Sequence, residues 1–294
     1  MDDPAWAGHL DGSDQRKPRS ADPAAVVGAV REDIRQTLRC GWVDPALEAA
    51  ASSPAFFAAA WSAIRPNVGK SFLVLSRALR TEAVDAVRTN LNPPDLRQSL
   101  QIRLSEEELR RAGESARAAH LAAAKVQIVV HALSWASRRE RVAGTGREES
   151  PVRRGIPDWQ RWMSSQPAPD SATEFLDDIA MEGGFPTPPT PLRLMARWPS
   201  ALEAVSGELR PALATEQWRL STNRLRRMVL AGISTLPHPV ELQWTALRAR
   251  GFTENDRQKL AEVMVGYDAA MAAQTLTAAF VWAVLGSPEI GVEG

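Results

Sequence analysis

The sequence predicts an all-α protein, made of two tandem helical-bundle repeats that form an internal pseudo-dimer. Three observations carry this reading. After residue 22 apolar side chains recur at helical spacing, and strand-type alternation never lasts more than a few residues. Helix-starting and helix-stopping residues punctuate the same stretches. Segments of the first half reappear in the second at a nearly constant offset.

Residues 1–22 are rich in Asp, Gly, Ser and Pro and read as a disordered lead-in. The first helix is AAVVGAVREDIRQTLR, with Val27, Val30, Ile34 and Leu38 on one face and Gly41 as its break. Ser53-Pro54 opens a second helix, because proline in the first turn gives up an N–H that has no partner there anyway. It stops near Arg65-Pro66. VGKSFLVLSRALRTEAVDAVRTNL is a long amphipathic helix ended by Asn92-Pro93-Pro94. Ser105 and Glu108 form a capping box that opens a helix running to about Ser137. Residues 138–171 are basic, rich in Gly, Pro and Ser, and aperiodic. They read as a crossover linker, with Ile156, Trp159 and Trp162 marking a part that packs down. Helical signals resume at Ala172 and run to about Leu285, leaving 287–294 as a tail. The domain reading is therefore repeat 1 at 23–137 and repeat 2 at 172–286.

The duplication shows in three ordered matches. SPAFFAAAWSAIRPNV (53–68) falls on WPSALEAVSGELRPAL (198–213), LSEEE (104–108) on FTEND (252–256), and HLAAAKVQ (120–127) on YDAAMAAQ (267–274). The last pairs His120 with Tyr267 and Gln127 with Gln274. Each half is too small to bury its own apolar face, so two halves share a core about a pseudo-two-fold axis. A cavity at such a junction is a common place for a small ligand.

Lys plus Arg and Asp plus Glu both number 35, which argues against a nucleic-acid partner held by bulk charge. With Cys40 as the only cysteine, neither an internal disulfide nor a cysteine-based zinc site can form. The polar N-terminus and the lack of an 18-residue apolar run predict no signal peptide, no membrane partner and a cytoplasmic location.

EDIRQTLRCGWV (32–43), followed by a helix ending in W-x-x-x-R-P, resembles the N-terminal half of group I (DehI-type) 2-haloacid dehalogenases. FPTPPTPLRLMARWPSALEAV (185–205) resembles their active-site stretch, and VMVGYDAAMAAQTLTAAF (263–280) their C-terminal helix. The resemblance spans roughly residues 25–285. It implies an all-α pseudo-dimer, often paired into a homodimer, that hydrolyses the carbon–halogen bond of small 2-halocarboxylic acids. In that family an Asp activates water for direct attack, and no metal or organic cofactor is needed. Trp42 and Tyr267 match the family's active-site Trp and Tyr, and Thr190 stands where the family has Ser. The catalytic Asp falls on Pro191, an expected Asn near Ala123, and an expected Phe on Pro45.

Proline cannot take a proton, so the family's usual chemistry is expected to be slow here. The repeat places DPAL (44–47) on PTPL (189–192), which makes Asp44 the candidate compensating acid. An Asp before Pro also starts turns and caps helices. Trp42, Thr190, Tyr267 and His120 are the candidate substrate-binding residues. Each has a plainer reading: core aromatics for Trp42 and Tyr267, a helix cap for Thr190, a buried structural imidazole for His120. VGKS (68–71) lacks the earlier glycine and the preceding strand of a phosphate-binding loop. DDIAME (177–182) and NDRQKLAE (255–262) loosely match the magnesium motifs of terpene cyclases. The readings left open are a dehalogenase-like hydrolase of small or otherwise activated acids with a rearranged acid, a divergent member that needs no such Asp and either uses the substrate's own nucleophile or only binds a small acid, and, distantly, a magnesium-dependent terpene cyclase.

Overall fold

The computed structural model describes residues 22–138, 144, 149, 152, 154–165 and 172–285, leaving aside the side chains of 164 and 165. The expected lead-in over 1–21, most of the linker arginines and the tail lie outside these residues. The described chain is helical, with no β-strand among the described residues. Six α-helices precede the crossover: α1 (Pro23–Leu38), α2 (Pro45–Glu48), α3 (Pro54–Ile64), α4 (Lys70–Ala86), α5 (Arg97–Leu100) and α6 (Glu106–Ser137). Six follow it: α7 (Thr173–Gly183), α8 (Thr190–Met195), α9 (Pro199–Leu213), α10 (Glu216–Ile233), α11 (Trp244–Ala249) and α12 (Glu254–Val284).

The helix ends follow the local chemistry. Asp22 accepts a hydrogen bond from the Ala24 N–H ahead of Pro23, and α1 closes at Arg39 with left-handed backbone (φ 56°). Helix α4 runs into a π-turn over Val87–Leu91 and ends at Asn92, again left-handed, before the two prolines. Both long helices open with a complete capping box, Ser105 with Glu108 and Thr253 with Asp256. The W-x-x-x-R-P segment also has a physical role. Trp61 Nε1 donates to Asp33 at 2.6 Å and Arg65 pairs with the same carboxylate at 2.9 Å, tying α3 to α1. In the second half Arg210 pairs with Glu182 of α7 at 3.0 Å.

Helices α6 and α12 form the axis of the molecule. Gln127 meets Thr275, His131 meets Asp268, and the Ser137 carbonyl meets Arg257, so the two helices run antiparallel. From Ala118 to Ser134 every residue of α6 is buried, which makes it a core helix rather than an amphipathic surface one. Helix α6 also packs on α8, and α12 on α4. A single apolar cluster therefore spans both halves, including Phe56, Phe72, Leu79, Ile128, Leu192, Leu209 and Phe280.

The described part of the crossover packs down. Residues Asp158–Ser165 form a 3-10 turn. Trp162 meets Trp198 edge-on at 6.2 Å and lies under the guanidinium groups of Arg111 and Arg197. Gly41 is needed there, because a Cβ would stand 2.8 Å from the Gln160 carbonyl oxygen. Glu149 of the crossover sits on the N-terminus of α4, accepting from the Ser71 N–H at 2.9 Å and from its hydroxyl. Partial burial works to raise its carboxyl pKa, but the bonds from Ser71 and Lys70 hold it below the usual range. The VGKS turn thus carries the protein's own carboxylate where a phosphate-binding loop would hold phosphate.

Candidate functional site

The α1–α2 connection, residues 39–44, brings Cys40, Trp42 and Asp44 to the seam between the halves. Asp44 is the N-cap of α2 and is buried (4% exposed). Its Oδ1 accepts from the Ala46 N–H at 3.0 Å. Its Oδ2 accepts from the Thr190 hydroxyl at 2.6 Å and from Gln274 Nε2 at 2.8 Å. Three distant parts of the chain, α2, α8 and α12, therefore converge on one carboxylate. Burial pushes its pKa up; the bonds from Thr190, Ala46 and Gln274 and the charge of Arg193 act in the opposite sense.

Thr190 is buried and is the first residue of α8, whose N-cap is Pro189. The plainer expectation that Thr190 caps this helix is corrected. Its hydroxyl forms no cap bond: Thr190 stands after the N-cap Pro189, inside the first turn, and its hydroxyl donates to the buried carboxylate across the seam. The dual reading of Asp44 resolves differently, since one oxygen caps α2 while the other serves the junction. Pro191 is buried in the first turn of α8 and offers nothing ionisable. The sequence marks Gln274 only as the repeat partner of Gln127. Gln127 itself accepts from the Thr275 hydroxyl at 2.8 Å, one residue along α12.

Trp42 is half-buried against the main core, two residues before Asp44. Tyr267 is buried on α12, two helical turns before Gln274 and on the same face. Its neighbour Gly266 faces Pro186, in the segment that leads into Thr190. Neither aromatic side chain is among the groups hydrogen-bonded to Asp44. Burial pushes the Cys40 thiol up to about 12, so it stays a neutral, inert thiol.

His120 lies apart from this cluster, stacked on Trp282 with ring centroids 4.7 Å apart. Burial, helped by the charge of Arg80, pushes its pKa down to about 3. Because that is below the unfolded value of about 6.5, the unfolded chain takes up the proton first as pH falls. Stability contributed at neutral pH is therefore lost below about pH 6.5 and down towards pH 3. The expected loss from His120 between pH 7 and pH 5 is about 1–2 kcal/mol. Asp44, with its raised pKa, acts in the opposite sense. His120→Phe keeps a ring on Trp282, removes the titration, and gives up no partner at Nδ1. Denaturant titrations at the two pH values should show a shallower acid loss in this variant. An unchanged slope would assign the loss to other groups.

A second buried pair was not legible in the sequence. His131 Nδ1 stands 3.0 Å from Asp268 and 3.1 Å from the Gln127 carbonyl. Burial pushes the imidazole down to about 4. The acidic motif of α7 forms no such cluster. Asp177 and Asp178 are exposed, and Glu182 is committed to Arg210. Among the described residues no three His, Cys, Asp or Glu side chains come together as metal ligands. No helix among them is long and apolar enough to cross a membrane.

No family model matches this sequence, and a search of curated proteins finds no match. Solved structures do match. A D-2-haloacid dehalogenase mutant in complex with D-2-CPA superposes with a TM-score of 0.78 at 18% identity, covering 88% of this chain and 91% of that one. A D-2-haloacid dehalogenase in complex with L-LA gives 0.78 at 19% identity, covering 90% and 93%. A further mutant of a D-2-haloacid dehalogenase gives 0.78 at 20% identity over the same shares. Over 88–90% of its length, the chain shares the all-helical fold of these D-2-haloacid dehalogenases.

Proposed function

We propose that this chain is a divergent dehalogenase-like protein that binds a small organic acid at the junction of its two halves, with Asp44 as the base available there. On this reading the halves, 23–137 and 172–286, are repeats of one bundle, and the ligand sits between them with Trp42, Thr190 and Tyr267 around it. The observation that carries the proposal is the bond from Thr190 to Asp44. It places the carboxylate against the residue beside Pro191, from the opposite half. The fold supports it, as the matching structures hold D-2-CPA and L-LA.

The geometry also bounds the rate. Each carboxylate oxygen can accept about two hydrogen bonds. Oδ2 takes two already and Oδ1 takes one from Ala46, so a water proton can go only to Oδ1. Burial makes Asp44 more basic, but the three donors hold it in place and share its charge. The same bonds favour a second reading, in which Asp44 is purely a cross-link and the junction binds an acid without chemistry. Halide release from both enantiomers of 2-chloropropionate separates them. We expect slow release, well below about 1 per second, that disappears in Asp44→Asn while binding of the acid persists. Release unchanged in Asp44→Asn would remove Asp44 from the chemistry. Absence of release with retained binding supports the cross-link.

A further inference from the structure

Two buried polar contacts join α6 to α12, and each lies beside a residue of the junction. The Thr275 hydroxyl donates to Gln127 Oε1 at 2.8 Å, and Thr275 directly follows Gln274, whose amide reaches Asp44. His131 Nδ1 stands 3.0 Å from Asp268, which directly follows Tyr267. Both steps along α12 are two helical turns, so Tyr267 and Gln274 share one face while Asp268 and Thr275 share the adjacent one. Much of the other buried surface of these helices is alanine: Ala122, Ala123 and Ala124 on α6, and Ala272, Ala278 and Ala279 on α12. Such short side chains make shallow ridges, which hold a helix only weakly against rotation or sliding. Gln127 is fully buried, and its Nε2 has no hydrogen-bond partner among the described residues. A buried amide satisfied on one side only costs stability relative to an apolar side chain. What a polar pair between buried helices supplies instead is register.

Resting on the reading above for the role of Asp44 as base, we propose that Thr275 and Gln127 are positioning residues, whose bond fixes the rotation of α12 that keeps the Gln274 amide on Asp44. A merely structural bond would change stability and leave Asp44 as it is. The two roles separate in the titration of the Asp44 carboxyl carbon, followed by carbon NMR on the full chain without ligand and assigned by its loss in Asp44→Asn. The Gln274 N–H favours the ionised carboxylate, so removing it moves the midpoint up. Arg193, whose charge also acts on Asp44, is untouched throughout. Gln274→Leu sets the scale of the shift. Thr275→Val and Gln127→Met should each move the midpoint up by at least about half as much, and Thr275→Ser should keep the wild-type value. Gln127→Met also removes the unpartnered Nε2, and the Thr275 hydroxyl can turn to the Met271 carbonyl, as Thr277 does to that of Ala273. This variant should therefore fold with wild-type stability. In the Gln274→Leu background neither variant should shift the midpoint further. A wild-type midpoint in Gln127→Met overturns the proposal, whether or not Thr275→Val folds. An undiminished shift in the Gln274→Leu background also overturns it. The titration needs no substrate, so absent halide release and acid binding would sink the small-acid reading alone, and an unmoved midpoint would sink the positioning alone.

Discussion

Replacing Asp44 by alanine is expected to lower stability by about 3–4 kcal/mol, whereas Asp44→Asn should cost only about 1–2 kcal/mol. The difference follows from the donors around the carboxylate. In Asp44→Ala the Ala46 N–H loses its cap, which alone costs about 1 kcal/mol. The Thr190 hydroxyl and the Gln274 amide are then left in a buried space without an acceptor. Asparagine meets the same three groups with one acceptor and two donors. Its carbonyl can cap Ala46, the Thr190 hydroxyl can rotate to accept, and the Gln274 amide can flip to present its oxygen. The carboxylate also carries a burial penalty that asparagine avoids. Denaturant midpoints of the two variants, measured at neutral pH, check the ordering. If Asp44→Ala proves no less stable than Asp44→Asn, the three bonds do not define a rigid junction.

Much of the fold was legible because its determinants are local. Capping boxes, prolines in first turns and the Asn-Pro-Pro stop act within a few residues, and the helix ends fall where they place them. The Trp61–Asp33–Arg65 contact shows why the W-x-x-x-R-P segment could be read as a unit: one carboxylate on α1 holds both side chains. The site was legible only in part. Asp44 came from the repeat register, which places it two residues from the position opposite Pro191. For Thr190 the sequence offers both a substrate-binding role and a helix cap, since a local bond is the default for a hydroxyl at a helix start. The cap is absent because Thr190 follows the N-cap Pro189, and the acceptor of its hydroxyl lies 146 residues away, beyond local reading. Gln274, Thr275 and the His131–Asp268 pair carry no local signature at all. Each is a polar residue in a long helix enclosed by several other helices far away in the sequence. Periodicity describes one face of one helix, and therefore cannot report which polar residues a second helix will enclose.

The largest gain in rate is expected from moving the carboxylate, in the double variant Asp44→Asn with Pro191→Asp. Residue 191 lies in the buried first turn of α8, next to the hydroxyl that Asp44 now engages. Pro191→Asp alone puts two carboxylates into one buried cluster. Like charges so close cannot both ionise freely, so one is held protonated and its pKa is driven up. That single variant should therefore be less stable than the wild-type chain and gain little halide release from 2-chloropropionate. With asparagine at 44 the repulsion is gone. The new carboxylate then has its own pair of oxygens, free of the Thr190 and Gln274 bonds that occupy Oδ2 of Asp44. A correctly placed general base is worth about 10²–10⁴-fold. We expect the double variant to restore halide release, at least about 100-fold above the detection background to which Asp44→Asn alone falls. The pH–rate profile should rise with the ionisation of a single carboxyl group. Equal rates for Pro191→Asp with and without Asp44→Asn would show that the two positions do not share one electrostatic site. No gain in either background would show that residue 191 does not face the bound acid.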